Sequence, residues 1–375
     1  MPAVRPIIDA HLDLAWNAVS YDRDQLLPVA DLRAADSKLE GKGRGACTVS
    51  LHEMRGSGIG LCLATVLARA LPKDADKTLN MGKRGQRTVL LREDLDYANQ
   101  TIACCAARCQ LAYYELLEQQ GHMAFIRNRG DLERLWAPWS QGPSDRAPIG
   151  FILSMEGADP IIEPKDAAWW WEQGLRTACL AHYGPSAYAM GTGGDGPLTA
   201  RGRDLVKIFD ELGMILDLVH TADTAFDQAL EIYGGPAFVS HGNCRALAQH
   251  DRQLTDRQIR AIVERGGVIG AVLDCWMMMV DYNEPHCSRQ DVTLDKLVDH
   301  IDHVCQVAGS AAHAGIGSDL DGGFGTEQCP ADLDTIHDLH KLEPLLARRG
   351  YSDQDIDAIF YGNWLRFFGE ALPER

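Results

Sequence analysis

The fold is decided by residues 214–273. There MILDLV (214–219), AFVS (237–240) and GVIGAVL (267–273) recur as short apolar runs separated by helical segments. Runs this short and this apolar, bounded by Gly, Pro and His, read as strands covered on both faces, as in parallel sheets. The intervening segments, Thr221–Tyr233 and Thr255–Arg265, carry helical periodicity, and Thr255 is suited to cap its helix. Strand, helix and strand at this spacing predict βαβ units of a parallel sheet.

The same pattern extends in both directions. Pro6–Leu14, Gly58–Val66, Ile149–Met155 and Leu175–Ala181 precede this stretch, and Ala314–Ser318 follows it, giving eight runs. Helical segments Thr199–Leu212 and Thr293–Ala308 fill two further gaps. Eight strands alternating with helices predict an α/β fold, a (β/α)8 TIM barrel, with a doubly wound open sheet as the alternative. The wide second gap holds an expected helix over Val89–Gln120, a short strand at Met123–Arg127 and a polar surface excursion over 70–87. With no repeat or compositional break, the expectation is one catalytic barrel domain over 1–375 with an insertion at about 67–147.

The 375 residues include 36 Lys and Arg against 53 Asp and Glu, a net charge of −17. That surface disfavours nucleic acid and anionic membrane as partners, because both require a positive footprint. No apolar run approaches the roughly 20 residues that span a bilayer. The N-terminus is too soon interrupted by Asp9 to read as a signal peptide. Eleven irregularly spaced cysteines are then expected to be reduced thiols of a cytoplasmic protein.

In a barrel, the C-terminal strand ends converge on one mouth. Here those ends carry His11 and Asp13, Glu156, His182, His220, His241 and Asp319. His11 and Asp13 are two apart on a strand, so both face the same way and can grip one divalent ion. Alone, the His-x-Asp pair is a weak signal, and a lone buried His is more often satisfied by a backbone carbonyl. That bland reading is strained when it must be repeated at His182, His220 and His241. Imidazole with carboxylate suits zinc, and the lack of thiolate points to a catalytic site. His220 and His241 would hold a second ion, with Glu156 bridging the two. Two divalent ions against Asp13, Glu156 and a bridging hydroxide leave a positive excess for an oxyanion. Paired ions about 3.5–4 Å apart acidify water and polarise a carbonyl together.

Six motifs in one order resemble the renal (membrane) dipeptidase family: Asp9-x-His11-x-Asp13, Met155-Glu-Gly-Ala-Asp-Pro160, Gly174-Leu-Arg-x3-Leu-x-His182, Asp217-Leu-x-His220, Ser240-His-Gly-Asn-x-Arg245 and Gly315-Ile-Gly-Ser-Asp-x-Asp-Gly322. The resemblance runs from Ile8 to about Gly323, with Tyr361-Gly-Asn-Trp-Leu-Arg366 similar as well. It implies a zinc-dependent dipeptidase that cleaves dipeptides through a metal-bridging hydroxide, with two Zn2+ per chain, and a homodimer. It implies that His11, Asp13 and Glu156 hold one zinc and Glu156, His220 and His241 the other. His182 would contact substrate and steady the tetrahedral intermediate, and Asp319 would touch substrate and shuttle the proton. Arg252 would clamp the substrate carboxylate, with Arg245 the second choice. The chain departs from the family at Leu320, at Gln253 and in the loop 183–196, all positions that bear on substrate preference. Secretory and lipid-anchor signals of the membrane-bound members are not seen, so a surface location is not carried over.

Two other functions compete: a barrel hydrolase of the same metal chemistry acting on a lactone, N-acyl amino acid or phosphotriester, and a metal-retaining protein that binds without cleaving. Several further features take bland readings. Gly191–Gly196 is read as plain surface, with a lid as the lesser alternative. Cys104, Cys105 and Cys109 are read as buried thiols, Trp169–Trp171 as packing before the fourth strand, and His300 and His303 as a solvated helix face.

Overall fold

The eight apolar runs form eight parallel strands: β1 Ile7–Leu12, β2 Ile59–Leu67, β3 Ile149–Glu156, β4 Leu175–Cys179, β5 Ile215–Asp217, β6 Ala237–Phe238, β7 Ile269–Ala271 and β8 Ala314–Ile316. The computed structural model describes residues 4–70, 95–140, 142, 147–280, 282 and 287–374. Spatial order follows chain order, β1 to β6, with β8 on the other side of β1 and β7 beside β8. The ends meet where Val239 pairs with Ile269 and exchanges bonds of 3.0 and 2.9 Å with Val268 and Gly270. The sheet therefore closes, as the barrel reading required, and the open-sheet alternative is excluded.

Every residue of β1, β2 and β3 is buried, because helices cover the outside and side-chain layers fill the inside. Closure is tight near the mouth. A Cβ on Gly270 or Gly317 would lie 1.9 or 1.8 Å from the Ser240 carbonyl oxygen, so only hydrogen fits where β6, β7 and β8 meet. Beside them, Trp364 packs on Gly315 and donates from Nε1 to the Ile316 carbonyl at 3.0 Å, which explains the C-terminal motif.

The crossover helices start where capping chemistry places them. Thr255 and Gln258 form a reciprocal capping box ahead of Asp256–Glu264, and Thr199 caps Ala200–Leu212. Between β2 and β3, the described chain contains a helix at Gln100–Gln119, a strand at Met123–Phe125 paired parallel to β3, and a helix at Arg129–Trp139. The long helix is shorter than expected: 95–99 is not helical, and Asn99 starts the helix by accepting from Ile102 N at 3.0 Å. Nearly all of the polar excursion (71–87) lies outside the described residues.

Two bland readings need correction. Cys104 is buried, but Cys105 and Cys109 are exposed, since the inward face of that helix is Ala103, Cys104, Ala107, Leu111 and Tyr114. His300 is buried, not solvated: Nδ1 accepts from Cys244 N at 3.1 Å and Nε2 lies 3.1 Å from the Met278 carbonyl. His303 is partly buried beside Asp256, at 2.8 Å. Trp170 is buried in the helix Ala167–Glu172 before β4, as read. Among the described residues no helix is long and apolar enough to cross a membrane.

Candidate metal centre

β1 presents its polar residues through alternation. Asp9, His11 and Asp13 fall on the same face two residues apart, with His11 and Asp13 at the mouth; Asp9, deeper along the strand, accepts at Oδ1 from Ser318 N (2.9 Å) and His11 N (3.2 Å), tying β1 to the end of β8. Asp217 does the same at the far side, accepting from Val219 N and Ser240 N at 3.0 and 3.1 Å. These two buried aspartates thus fix the backbone from which His11, His220 and His241 project.

Glu156, at the end of β3, is the centre of the arrangement. Its Oε2 lies 3.7 Å from His11 Nε2. Its Oε1 lies 3.2 Å from His220 Nε2, 3.4 Å from His241 Nε2 and 3.7 Å from His182 Nε2. Asp13 Oδ2 is 3.6 Å from His11 Nε2. Two ligand groups follow, His11–Asp13–Glu156 and Glu156–His220–His241, each with its ligand atoms within 4.8 Å of one another. A third, His11–His241–Asp319, meets the same limit, so Asp319 is close enough to ligate as well as to move a proton.

The other face of two of these imidazoles is held by hydroxyls: Thr192 Oγ1 lies 2.9 Å from His220 Nδ1, and Ser240 Oγ 3.0 Å from His241 Nδ1. Such outer partners orient a ligating ring and turn Nε2 into the cluster. Thr192 sits in the segment read as plain surface. It is buried, its N–H donates to the His182 carbonyl at 3.0 Å, and a Cβ on Gly191 would meet that carbonyl oxygen at 1.9 Å. Gly191–Thr192 is therefore part of the site's wall.

Backbone strain also collects here. His220, Asp319 and Asp321 have φ of 57°, 57° and 62°, each costing about 1–3 kcal/mol in a non-glycine residue. Asp321 shows what holds the turn. Its carboxylate accepts from Thr48 N and Oγ1 (both 2.8 Å) and from Val49 N (3.1 Å), and faces Arg23 at 3.7 Å. Asn17 Nδ2 reaches the carbonyls of both Asp13 (3.0 Å) and Asp321 (2.9 Å). None of Asn17, Arg23, Thr48 or Thr192 was signalled by the sequence, because each acts through a long-range contact.

Without a cation the cluster is electrostatically lopsided. Burial pulls the His11 imidazole down, but Glu156, Asp13 and Asp319 outweigh it and raise it to about 10. Burial pushes Glu156 up to about 8 and Asp319 well above the carboxylate range. Burial, with positive neighbours, drives His220 and His241 far below the usual imidazole value. Moreover His11 Nε2, Asp13 Oδ1 and His241 Nε2 are buried with no hydrogen-bond partner. One such orphan costs about 1–3 kcal/mol, and three of them in the ligand groups around Glu156 fit a site for cations.

The rest of the mouth forms a cleft of about 880 Å3, within the size range of small-molecule sites. His182 stands at its edge, with Nδ1 3.5 Å from Arg69 Nη1, and Arg69 is forked onto Asp96 at 2.7 and 2.5 Å. Of the two candidate arginines, Arg245 is spent on a two-bond pair with Asp223 at 2.7 and 2.8 Å. Arg252 is buried at the cleft, gives one bond to the His241 carbonyl at 3.0 Å and keeps Nε unpartnered. The structure therefore brings all five expected ligands together, with His182 and Asp319 beside them and Arg252 on the same cleft.

The family model described as Membrane dipeptidase (Peptidase family M19) matches residues 3–373. An uncharacterised dipeptidase of Schizosaccharomyces pombe is 31% identical over 225 residues, 58% of this chain and 52% of that one, so the match spans about half that relative's length. A protein of Klebsiella pneumoniae named only for its position beside another gene is 33% identical over 227 residues, 58% of this chain and 80% of that one. The same fold occurs in a metallo peptidase from Rhodobacter sphaeroides solved with a phosphinate mimic of the dipeptide L-Ala-D-Ala: TM-score 0.76, 22% identity, covering 98% of this chain and 99% of that one.

Proposed function

The chain belongs to the membrane dipeptidase family, peptidase family M19, and from that premise we propose that it is a zinc dipeptidase. The observation that carries this reading is the convergence of four buried donors, three of their atoms unpartnered, on the two sides of Glu156. His11, Asp13 and Glu156 would hold one ion and Glu156, His220 and His241 the other. Two zinc ions there would acidify a water as nucleophile and polarise the scissile carbonyl. Every remaining task falls to the protein. Arg252, with an unpartnered Nε at the cleft, binds the substrate carboxylate through its planar fork and so fixes peptide length. His182 Nε2, 3.7 Å from Glu156 Oε1, lies where it can donate to the oxyanion. Asp319, its Oδ1 3.6 Å from His11 Nε2 and so beside the ion positions, receives a proton from the nucleophile and passes it to the leaving amine. A homodimer is part of the proposal only through the family resemblance.

The test is hydrolysis of a dipeptide panel by the zinc-loaded protein, set beside lactone and phosphotriester substrates. Turnover confined to dipeptides is expected. Turnover of a lactone or phosphotriester with dipeptides left intact would overturn the reading, and tight peptide binding without product would favour a binding protein.

A further inference from the structure

β7 is a strand whose end supplies no expected ligand, yet a buried carboxylate follows it. Asp274 comes three residues after Ala271 and is 6% exposed, on the wall of the cleft shared by Arg252, Glu156 and Asp319. Both its oxygens are fixed by uncharged donors: Trp276 Nε1 reaches Oδ2 and Gln328 Nε2 reaches Oδ1, each at 2.6 Å. Gln328 is itself anchored, its carbonyl accepting from Cys275 N at 3.0 Å.

Asp274 differs from three other carboxylates near the mouth, Asp96, Asp223 and Asp321, in lacking an arginine partner. Asp96 has Arg69, Asp223 has Arg245, and Asp321 faces Arg23. Among the described residues no basic nitrogen lies within 4.0 Å of Asp274, and Lys42 acts on it only from farther away. Burial raises its carboxyl to about 6, restrained by Gln328, Lys42 and Trp276, so it is largely ionised at neutral pH. A carboxylate kept charged in a sheltered wall, with donors that hold it in place but do not neutralise it, matches an incoming cation.

Its place in the barrel says which part of a peptide would arrive there. β7 lies between β6, after which Arg252 is bonded to the His241 carbonyl, and β8, after which Asp319 follows. Tyr183, its phenol raised by burial, feels Arg252, Asp274, Asp319 and Glu156 together, so these charges share one neighbourhood. Trp276, Met277 and Tyr183 also line the cleft and offer apolar surface to an aliphatic stem.

We propose that Asp274, framed by Trp276 and Gln328, is a specificity subsite for a lysine or arginine side chain on the C-terminal residue of a dipeptide. This rests on the dipeptidase reading above, with Arg252 holding that residue's carboxylate.

The experiment measures kcat/KM of the zinc-loaded enzyme on Ala-Lys, Lys-Ala, Ala-Leu and Ala-Glu, for the wild type, Asp274→Asn and Asp274→Lys. The wild type is expected to favour Ala-Lys over Ala-Leu at least about tenfold, the scale of one sheltered ion pair, and over Lys-Ala as well. In Asp274→Asn the Ala-Lys to Ala-Leu ratio should fall by about the same factor, and Asp274→Lys should move the preference to Ala-Glu. A wild-type ratio near one, a preference for Lys-Ala, or a ratio unchanged in Asp274→Asn overturns the subsite. The wild-type ratio does not depend on either variant folding. Failure of the underlying reading looks different, since then Ala-Leu is not cleaved either.

Discussion

Among the described residues histidines are buried in two places, and the two differ in how they are satisfied. Behind the barrel wall, His300 on the helix Leu294–Ala308 has a backbone partner at each nitrogen, Cys244 N and the Met278 carbonyl. At the mouth, His11 and His241 are as deeply buried, yet each keeps Nε2 without a partner, aimed at carboxylates. Burial makes both sets hard to protonate in isolation. Only the mouth adds negative charge that the protein does not neutralise. The lesson is that an imidazole nitrogen turned toward buried carboxylates, as in His11, His220 and His241, singles out a candidate ligand where burial alone does not.

Removing the carboxylate common to both halves of the mouth should break this contrast most severely. Glu156→Ala is expected to lose both ions and reduce turnover by more than about 10^4-fold, with His300 and its helix unaffected. Metal analysis and dipeptide hydrolysis check this, and near-normal hydrolysis would refute the bridge. Next in size, Asp319→Asn should keep both ions and lower kcat by about 10^2–10^4-fold, the usual worth of a general acid/base. Because Asp319 also lies 3.6 Å from His11 Nε2, a fall in metal content instead would make it a ligand.

Smaller changes sharpen the comparison. Thr192→Val removes the hydroxyl behind His220 and should weaken the ion held by His220 and His241 by about 10–100-fold, leaving the His11–Asp13 side intact. Competition with a chelator, read by metal titration, separates the two. The satisfied histidine should report only on stability. His300 is lowered by burial to about 4 in the fold, against 6.5 as the ordinary value. Between those limits the unfolded chain binds a proton that the native one does not, so stability falls as pH drops, by about 1.4 kcal/mol per pH unit. Urea unfolding of the metal-free protein from pH 6.5 to 4 should show that slope shrinking in His300→Gln.

The two regions also differ in how readable they are. β1 to β8 stood out because strands covered on both faces are continuously apolar, and His11, Asp13, Glu156, His220, His241 and Asp319 followed once those strands had ends. His300 was misread because its spacing from His303 resembles a polar helix face, and nothing local announces the Cys244 and Met278 partners. Cys105 and Cys109 differ from Cys104 only by helical phase. The long helix starts at Gln100 because Asn99 offers a cap, a signal outweighed by the polar run before it. Asn17, Arg23, Thr192 and Asp274 stayed hidden for one reason: each acquires its role from residues many positions away, such as Arg23 from Asp321 and Asp274 from Gln328.

The account stands on two adjacent cations flanking Glu156. Anomalous X-ray diffraction at the zinc edge, from crystals of the protein grown with zinc, tests that most directly. Two peaks about 3.5–4 Å apart, one beside His11 and Asp13 and the other beside His220 and His241, are expected. No peak among these residues, or one seated away from Glu156, would contradict it.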